Sequence, residues 1–407
     1  MKCRNCETLL VNKFVDLDFA PPSNAFLTVD ELNVKEVYYP LRTFVCNKCW
    51  LVQTEDYTSA EQIFNDEYVY FSSTSDGWLK HDADYVSMII PRLDLDEKSF
   101  VVEIASNDGY LLRNFVDKNI PCLGIEPTAS TAKKAEEYGI SVEQFFFNHE
   151  SAKQLANTSK ADLIIGNNVF AHVPNIVSFT QGLGILIKDE GTITIEVSHV
   201  LSLIELGAFD SIYHEHFSYY SLNALLNIFA NQGLRIYDVE EIITHCGSLR
   251  VYVCKENASI KTKTSNIKKI LDDEERAGLK DVDTYLNFQE QVNRNKNELL
   301  QFLIQAKLDE KKVAGYGAAA KGNTLLNYAG VKSDLLPYIC DLAKSKQGKH
   351  TPGGHIPIYD IEYLYQDKPD YILIFPWNIS DEIMKQNTWV KEWGAKFITV
   401  VPEIKIL

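Results

Sequence analysis

The stretch FDSIYHEHFSYYS at 209–221 gathers two histidines, a glutamate and several tyrosines. Imidazole titrates near neutrality, carboxylates accept protons and phenols donate hydrogen bonds. Tyr213, His214, Glu215 and His216 therefore suit general acid–base work. The stretch is polar and follows the strand-like GTITIEV, as catalytic loops do. In an extended chain His214 and His216 share one face and Tyr213 and Glu215 the other. One face would then move a proton while the other orients a substrate. Two other readings stay open: metal binding by the two histidines, for which no third ligand stands nearby in sequence, and histidines that make only local hydrogen bonds.

A second constellation is cysteine-based. CRNC at 3–6 and CNKC at 46–49 each have the CxxC spacing, which lets one turn offer two thiolates to a tetrahedral ion. Cys3, Cys6, Cys46 and Cys49 together leave no open coordination position, so they predict a structural Zn2+. The alternatives are two redox pairs or unligated thiols. A block this small buries little core without such a staple. Cys122, Cys246, Cys254 and Cys340 stand in apolar or strand contexts and read as packing residues.

Two loops have the form of ligand cradles. VVEIASNDGYLL at 101–112 is a strand, then an acid, a turn and a helix. It places Glu103, Ser106, Asn107, Asp108 and Gly109 where an open α/β sheet binds ligands. Glu126 closes the next strand, LGIE, at the place of an acid that binds ribose hydroxyls. The glycine pattern that cradles a pyrophosphate is missing. A ribose cofactor without a diphosphate, S-adenosylmethionine, fits better than NAD; a merely structural loop is the alternative. LIIGNNVFAHVPN adds Asn167, Asn168 and His172 at the same crevice. The second loop, VAGYGAAAKGNT at 313–324, again joins a strand to a helix. Gly317 permits close backbone approach, and Lys321 and Asn323 fall near a helix N-terminus that favours phosphate. A nucleotide diphosphate site and a tight packing turn both remain open. The GKHTPGGHIPI loop would close over such a ligand.

The elements that must position these groups can be read from periodicity. Residues 1–80 form a loop-rich zinc-binding module. Residues 81–254 alternate strand and helix patterns, the signature of a parallel sheet covered on both faces. Residues 255–311 are charged with helical periodicity and read as connecting helices with a solvated face. Residues 312–407 restart the α/β rhythm. The expected fold class is α/β: an N-terminal zinc-binding module, a central Rossmann-like methyltransferase domain and a smaller C-terminal Rossmann-like domain.

The totals exclude other classes. The chain has 407 residues, too many for one ordinary core, and 45% hydrophobic residues, the usual globular share. A net charge of −16 argues against a nucleic-acid partner. No apolar run reaches membrane-spanning length, so no membrane partner is expected. MKCRNCETLL lacks a secretion-signal pattern, which predicts a cytoplasmic protein.

Taken together, the chain resembles the S-adenosylmethionine-dependent sugar C-methyltransferases that act on nucleotide-linked keto-deoxysugars. The resemblance spans nearly the whole length. It rests on the paired CxxC, YVYFSS at 68–73, EIASNDG at 103–109, NNVFAHVPN at 167–175, FDSIYHEHFSYYS, and GYGAAAKGNT at 315–324. Ala105 departs from it, standing where a glycine is usual. The resemblance implies that a base removes the C3 proton beside a C4 ketone and that the enolate takes the methyl group. It makes His216 the base, with Glu215 and His214 positioning loop or substrate and Tyr213 contacting the sugar. It puts Tyr70 or His172 near the ketone oxygen. It assigns the nucleotide diphosphate to the C-terminal domain with Lys321 and Asn323. O- or N-methylation of a small metabolite, and a non-enzymatic zinc-ribbon scaffold, are the competing classes.

Overall fold

Short apolar runs form the central strands because both faces of their sheet are covered. VVEI (β4, Val101–Ile104) is buried throughout, and ADLIIGN (β7, Ala161–Asn167) nearly so. The computed structural model describes residues 1–57, 73, 76–244, 247–259 and 261–407. Tyr70 and Cys246 lie outside the described residues.

The central sheet has seven strands. β4 pairs in parallel with β5 (Cys122–Ile125), and β5 with β6 (Ser141–Glu143). The chain then returns to the other side of β4 with β7, followed by β8 (Ile187–Ser198). That reversal beside β4 makes a topological switch point, where the carboxyl ends of β4 and β7 open a crevice. β11 (Ser248–Lys255) runs antiparallel to β8 and pairs with β10 (Leu234–Ile242) at the edge. The alternating pattern predicted a parallel sheet, and β6, β5, β4, β7 and β8 form one, while β11 and β10 add an antiparallel edge.

The N-terminal sheet holds β1 (Asn12–Ala20), β2 (Tyr39–Val45) and β3 (Val52–Thr54). Its fourth strand, β9 (Ser218–Tyr219), comes from the histidine-rich stretch, with Val52 opposite Tyr219 and Gln53 opposite Ser218. The C-terminal sheet has six strands and is built around β12 (Val313–Tyr316), which is flanked in parallel by β13 (Ile339–Cys340) and β15 (Tyr371–Ile374). No helix among the described residues is long and apolar enough to cross a membrane.

Shared cores weld the sheets together. Cys3, Cys46 and Leu51 pack in one cluster with Phe170, Tyr220 and Leu222. A second cluster joins Phe14 and Val15 to Phe209, Ile212, Phe288 and Leu325. The charged 255–311 region is more than connecting helix. Helix Phe288–Leu308 turns Phe288, Val292, Leu299 and Leu303 inward, and Phe288 stacks on Phe14 with ring centroids 4.6 Å apart.

Glu274 breaks the solvated-face expectation. It lies on helix Ser265–Arg276 and is 2% exposed. Its Oε1 accepts from the Leu222 amide at 2.5 Å and lies 2.8 Å from His199 Nε2; its Oε2 accepts from the Asn223 amide at 3.1 Å. A carboxylate thus caps helix Leu222–Ala230, whose first amides lack intrahelical partners. Glu274→Ala should cost about 2–5 kcal/mol by stranding these buried groups, and Glu274→Gln about 1–2 kcal/mol because one acceptor remains. Urea denaturation midpoints should fall in the order wild type, Gln, Ala. Equal midpoints for the two variants would contradict the cap.

Candidate functional site

The four cysteines converge as their spacing predicts. Their sulfurs lie within 4.8 Å of one another, with Cys3–Cys49 and Cys6–Cys46 both at 3.5 Å and Cys6–Cys49 at 3.7 Å. A tetrahedron with Zn–S bonds of about 2.3 Å has edges of about 3.8 Å, so the thiol set fits zinc. The two turns are copies of one another. The Glu7 amide donates to Cys3 O at 3.0 Å and the Trp50 amide to Cys46 O at 2.9 Å. Glu7 and Trp50 both take a left-handed φ, at 59° and 61°. Such repeated knuckles aim each pair of sulfurs at a common point.

The turn after β4 is strongly bent: Ala105 has φ 58°, Asn107 48° and Gly109 77°. Glu126 holds it, because its two oxygens accept from the Asn107 amide at 3.0 Å and the Thr128 amide at 2.9 Å. Gly109 serves packing and does not line the cavity: a Cβ there would meet Ile140 Cδ1 at 2.5 Å. Ala105 pays the left-handed penalty with its methyl group, roughly 1 kcal/mol.

Around this turn several buried polar atoms have no hydrogen-bond partner among the described residues: Glu103 Oε2, Ser106 Oγ, Asp108 Oδ1 and both amide atoms of Asn167. Burial, then the neighbouring Asp82, Glu126 and Asp108, pushes Glu103 well above the usual carboxylate range. Such buried, unpartnered polar groups suit a ligand with an ammonium group, a sulfonium and ribose hydroxyls, because a cation beside Glu103 draws its carboxyl back toward the ionised form. S-adenosylmethionine has all three.

The histidine-rich stretch is a turn and not an extended strand. The His216 amide donates to Tyr213 O at 2.9 Å, so His214 and Glu215 occupy the bend. The expected pairing of faces is therefore lost. His214 turns away to the N-terminal module, with Nε2 3.3 Å from Pro40 O and its ring edge-on to Tyr39. Tyr213 and His216 stay together, with ring centroids 4.0 Å apart. His216 Nδ1 lies 2.9 Å from Ser211 O, and His172 Nδ1 lies 2.8 Å from Glu215 O. A carbonyl only accepts, so both Nδ1 atoms carry a proton, and in a neutral ring the lone pair then sits on Nε2. The two rings meet edge-to-face at 4.7 Å. Burial pulls His172 down to about 4, so it is neutral at ordinary pH.

All three parts of the molecule grip this turn. From the zinc module, Thr54 Oγ1 donates to His216 O at 2.8 Å and the Thr54 amide to Phe217 O at 3.0 Å. From the C-terminal domain, Thr324 Oγ1 donates to Ile212 O at 3.1 Å and Trp377 Nε1 to buried Asp210 at 2.7 Å. From the central domain, Phe217 N donates to Ala171 O at 2.7 Å.

In the C-terminal domain Gly317 has φ 81°, and a Cβ there would meet Pro376 at 2.7 Å, so it too serves the backbone turn. Asn323 gives its amide to Ser23 O at 2.7 Å and does not line the cavity. Lys321 lies 5.0 Å from the centre of the Trp377 ring and does line it.

One cavity of about 790 Å³ joins these places. Asn107, Glu126, Asn167 and Asn168 line it beside the carboxyl ends of the central strands, and His172, Tyr213, Glu215 and His216 line it at the histidine-rich turn. Lys321 and Lys346 bring it to the C-terminal domain. Glu103, Ser106, Asp108, Gly109, His214, Asn323 and Gly317 are not in its lining.

Comparison with known proteins gives the class. Residues 3–64 match the family described as "Putative zinc binding domain", 78–239 "Methyltransferase domain", and 243–402 "C-methyltransferase C-terminal domain". The C-methyltransferase NovU of Streptomyces niveus is 31% identical over 373 residues, covering 91% of this chain and 88% of its own length. The chain belongs to the C-methyltransferase family. It is an S-adenosylmethionine-dependent enzyme, and the O- or N-methylation and scaffold readings give way to carbon methylation. Two solved structures are similar over part of this C-methyltransferase. They are the magnesium protoporphyrin IX methyltransferase ChlM of Synechocystis PCC 6803 with bound SAH (14% identity, 48% of this chain, 91% of that one, TM-score 0.36) and an S-adenosylmethionine-dependent methyltransferase of Clostridium acetobutylicum (12% identity, 46% and 92%, TM-score 0.35). Likeness at that level carries no argument.

Two cavity residues escape a reading of the sequence. Asn24 follows APPS and gives no signal of its own, yet it contacts Glu215 from far along the chain. Lys346 follows the strand-like LLPYICD in a run of lysines, which is a usable cue.

Glu215 is 3% exposed, and burial raises it from 4.5 to about 7. A raised carboxyl contributes stability that is fully present below about pH 4.5 and is lost as pH climbs to about 7. His172 acts in the opposite sense, disfavouring the fold as pH falls from 6.5 toward 4. Comparing a Glu215 variant with wild type at each pH isolates the carboxyl. Glu215→Gln should match wild type in unfolding free energy near pH 4 and exceed it by roughly 3 kcal/mol above pH 7. A constant difference across that range would contradict a raised carboxyl.

Proposed function

We propose that this enzyme methylates a carbon, C3, of a nucleotide-linked 4-keto-deoxysugar. The observation that carries the reading is the single cavity, which runs from the acidic cofactor crevice past His216 to two lysines of the C-terminal domain. A sugar nucleotide has a matching order of parts, with the reacting sugar in the middle and the diphosphate at one end. NovU, a C-methyltransferase, supports the reaction class.

The diphosphate would lie against Lys321, Lys346 and the start of helix Ala320–Ala329. Ala319 and Ala320 there line the cavity, and the helix has no side-chain N-cap bond. Lys346 is steadied by its bond to Ala318 O at 2.9 Å. Asn323 acts indirectly, by tying this helix to Ser23. At the other end, Glu126 binds the ribose hydroxyls, while Asn107, Asn167 and Asn168, which also line the cavity, receive the ammonium group. Bound S-adenosylmethionine supplies an electrophilic methyl group.

His216 is the base. Its Nδ1–H is anchored on Ser211 O, which leaves the Nε2 lone pair to accept the C3 proton. Electron density then moves onto the ketone oxygen, and C3 becomes the nucleophile. The oxyanion needs a hydrogen-bond donor. Neutral His172 cannot be that donor, because its one N–H is directed at Glu215 O. Tyr213 and the Asn168 amide line the cavity and can donate; Tyr70 is the further candidate and lies outside the described residues. His214 and Glu215 position the turn.

Two measurements test this reading. In D2O, with the demethylated cofactor product present, the wild type should exchange deuterium into C3 of a nucleotide-linked 4-keto sugar. His216→Asn should lose exchange and methylation by roughly 10²–10⁴-fold. Exchange at the wild-type rate in that variant would transfer the base role to a tyrosine. Lys346→Ala should weaken sugar-nucleotide binding by roughly 1.5–3 kcal/mol in calorimetry while S-adenosylmethionine binding stays constant. Equal losses for both ligands would point to a damaged fold.

A further inference from the structure

From the N-terminal module Asn24 reaches the cavity beside Glu215. Its Nδ2 lies 2.9 Å from Glu215 Oε1 and 2.7 Å from Oε2, so a single amide nitrogen donates to both oxygens. The Asn24 backbone adds a further hydrogen bond to the same carboxyl, so Asn24 approaches Glu215 with both its side chain and its main chain. The backbone around Asn24 is pinned. The Ala25 amide donates to Pro22 O at 3.0 Å, and the Leu27 and His350 amides exchange bonds with each other's carbonyls at 3.0 and 2.7 Å. Ser23 O receives Asn323 Nδ2, and Ser23 Oγ meets Thr324 Oγ1 at 3.2 Å. Thr324 in turn holds Ile212 O, so the segment bearing Asn24 and the turn bearing Glu215 share an anchor.

We propose that Asn24 is a positioning residue of the reactive centre, which keeps the buried Glu215 carboxylate charged and fixed beside the two histidines. A buried carboxylate without a strong donor takes up a proton instead of staying ionised. Other charged or titratable groups around it are few. Tyr213, His214 and His216 belong to its own turn. His172, from the loop after β7, gives its Nδ1–H to the Glu215 backbone. Lys321 and Lys346, from the C-terminal domain, line the same cavity. Burial dominates the carboxyl's environment, and the hydrogen bonds of Asn24, the side-chain bonds first and the backbone bond after them, oppose it. An anionic Glu215 would also favour the imidazolium that forms when His216 accepts a proton. Asparagine suits this place better than lysine, because a neutral donor adds no cation beside a base that must stay neutral before it acts.

The inference rests on reading the turn as the catalytic centre, and its test is chosen to fail separately from that reading. Infrared titration of the full-length zinc-loaded enzyme, without substrate, follows the carbonyl band of protonated carboxyls as a function of pH. The band that Glu215→Gln removes belongs to Glu215. In Asn24→Ala that band should persist to a pH about one to two units higher than in wild type, the equivalent of one lost charge-assisted hydrogen bond. Asn24→Asp, nearly the same size and without the donor, should raise it further and covers the case in which the alanine variant does not fold. The acid limb of methylation rate against pH should move with the band. A wild-type midpoint in both Asn24 variants, or no band that Glu215→Gln removes, overturns the proposal. The deuterium exchange at C3, which reads His216, is unaffected by either of those infrared outcomes.

Discussion

The reactive turn depends on the short pairing between β3 and β9. Two strands exchange backbone hydrogen bonds there, and Thr54 adds a side-chain bond to His216 O. On one side stands a sheet stiffened by four cysteines, on the other the chain that carries Tyr213, Glu215 and His216. A two-residue strand has little stability of its own. Its order is borrowed from the zinc knot, whose cysteines pack in the same core as Tyr220 and Leu222. If the turn is the reactive centre, its precise placement depends on a metal site that lies in a different module.

Charge is distributed along the cavity to match. The crevice beside β4 gathers buried carboxylates, whereas the C-terminal domain offers Lys321 and Lys346. In a chain with a net charge of −16, these two lysines are the Lys and Arg side chains of the cavity lining among the described residues. In the proposed function the lysine end would favour the anionic part of the substrate. Asp210 links the histidine-rich stretch to Trp377, and Trp377 in turn lies under Lys321, so this lysine and His216 share one scaffold.

Much of this is legible in the sequence, for identifiable reasons. The CxxC pairs declare a metal site because ligand spacing is local. The strands β4, β7 and β8 declare a covered sheet because their apolar runs are continuous. Glu126 and the Asn167–Asn168 pair are found by their places at strand ends. What fails is whatever depends on long-range approach. Asn24 meets Glu215 across 191 positions, and Glu274 meets Leu222 across 52; no periodicity encodes either. His214 and Gly109 were legible as polar or flexible residues, but their roles turn on direction: one points at Pro40, the other makes room for Ile140. Alternation also misled, since a turn at Tyr213–His216 replaces the strand that residue types alone suggest.

The order of the N-terminal sheet has a consequence for how the protein is made. β3 is complete early in synthesis, but its neighbour β9 lies more than a hundred residues downstream. Until Ser218 and Tyr219 leave the ribosome, β3 presents an open edge that can pair with any extended strand nearby. The bulged pairing of β1 with β2 and the charged Lys13 and Asp16 on β1 blunt the opposite side, so the exposure is confined to one short strand. The N-terminal module is therefore an early-synthesised piece that finishes late, and metal capture by its cysteines comes within reach before the strand that completes its sheet exists.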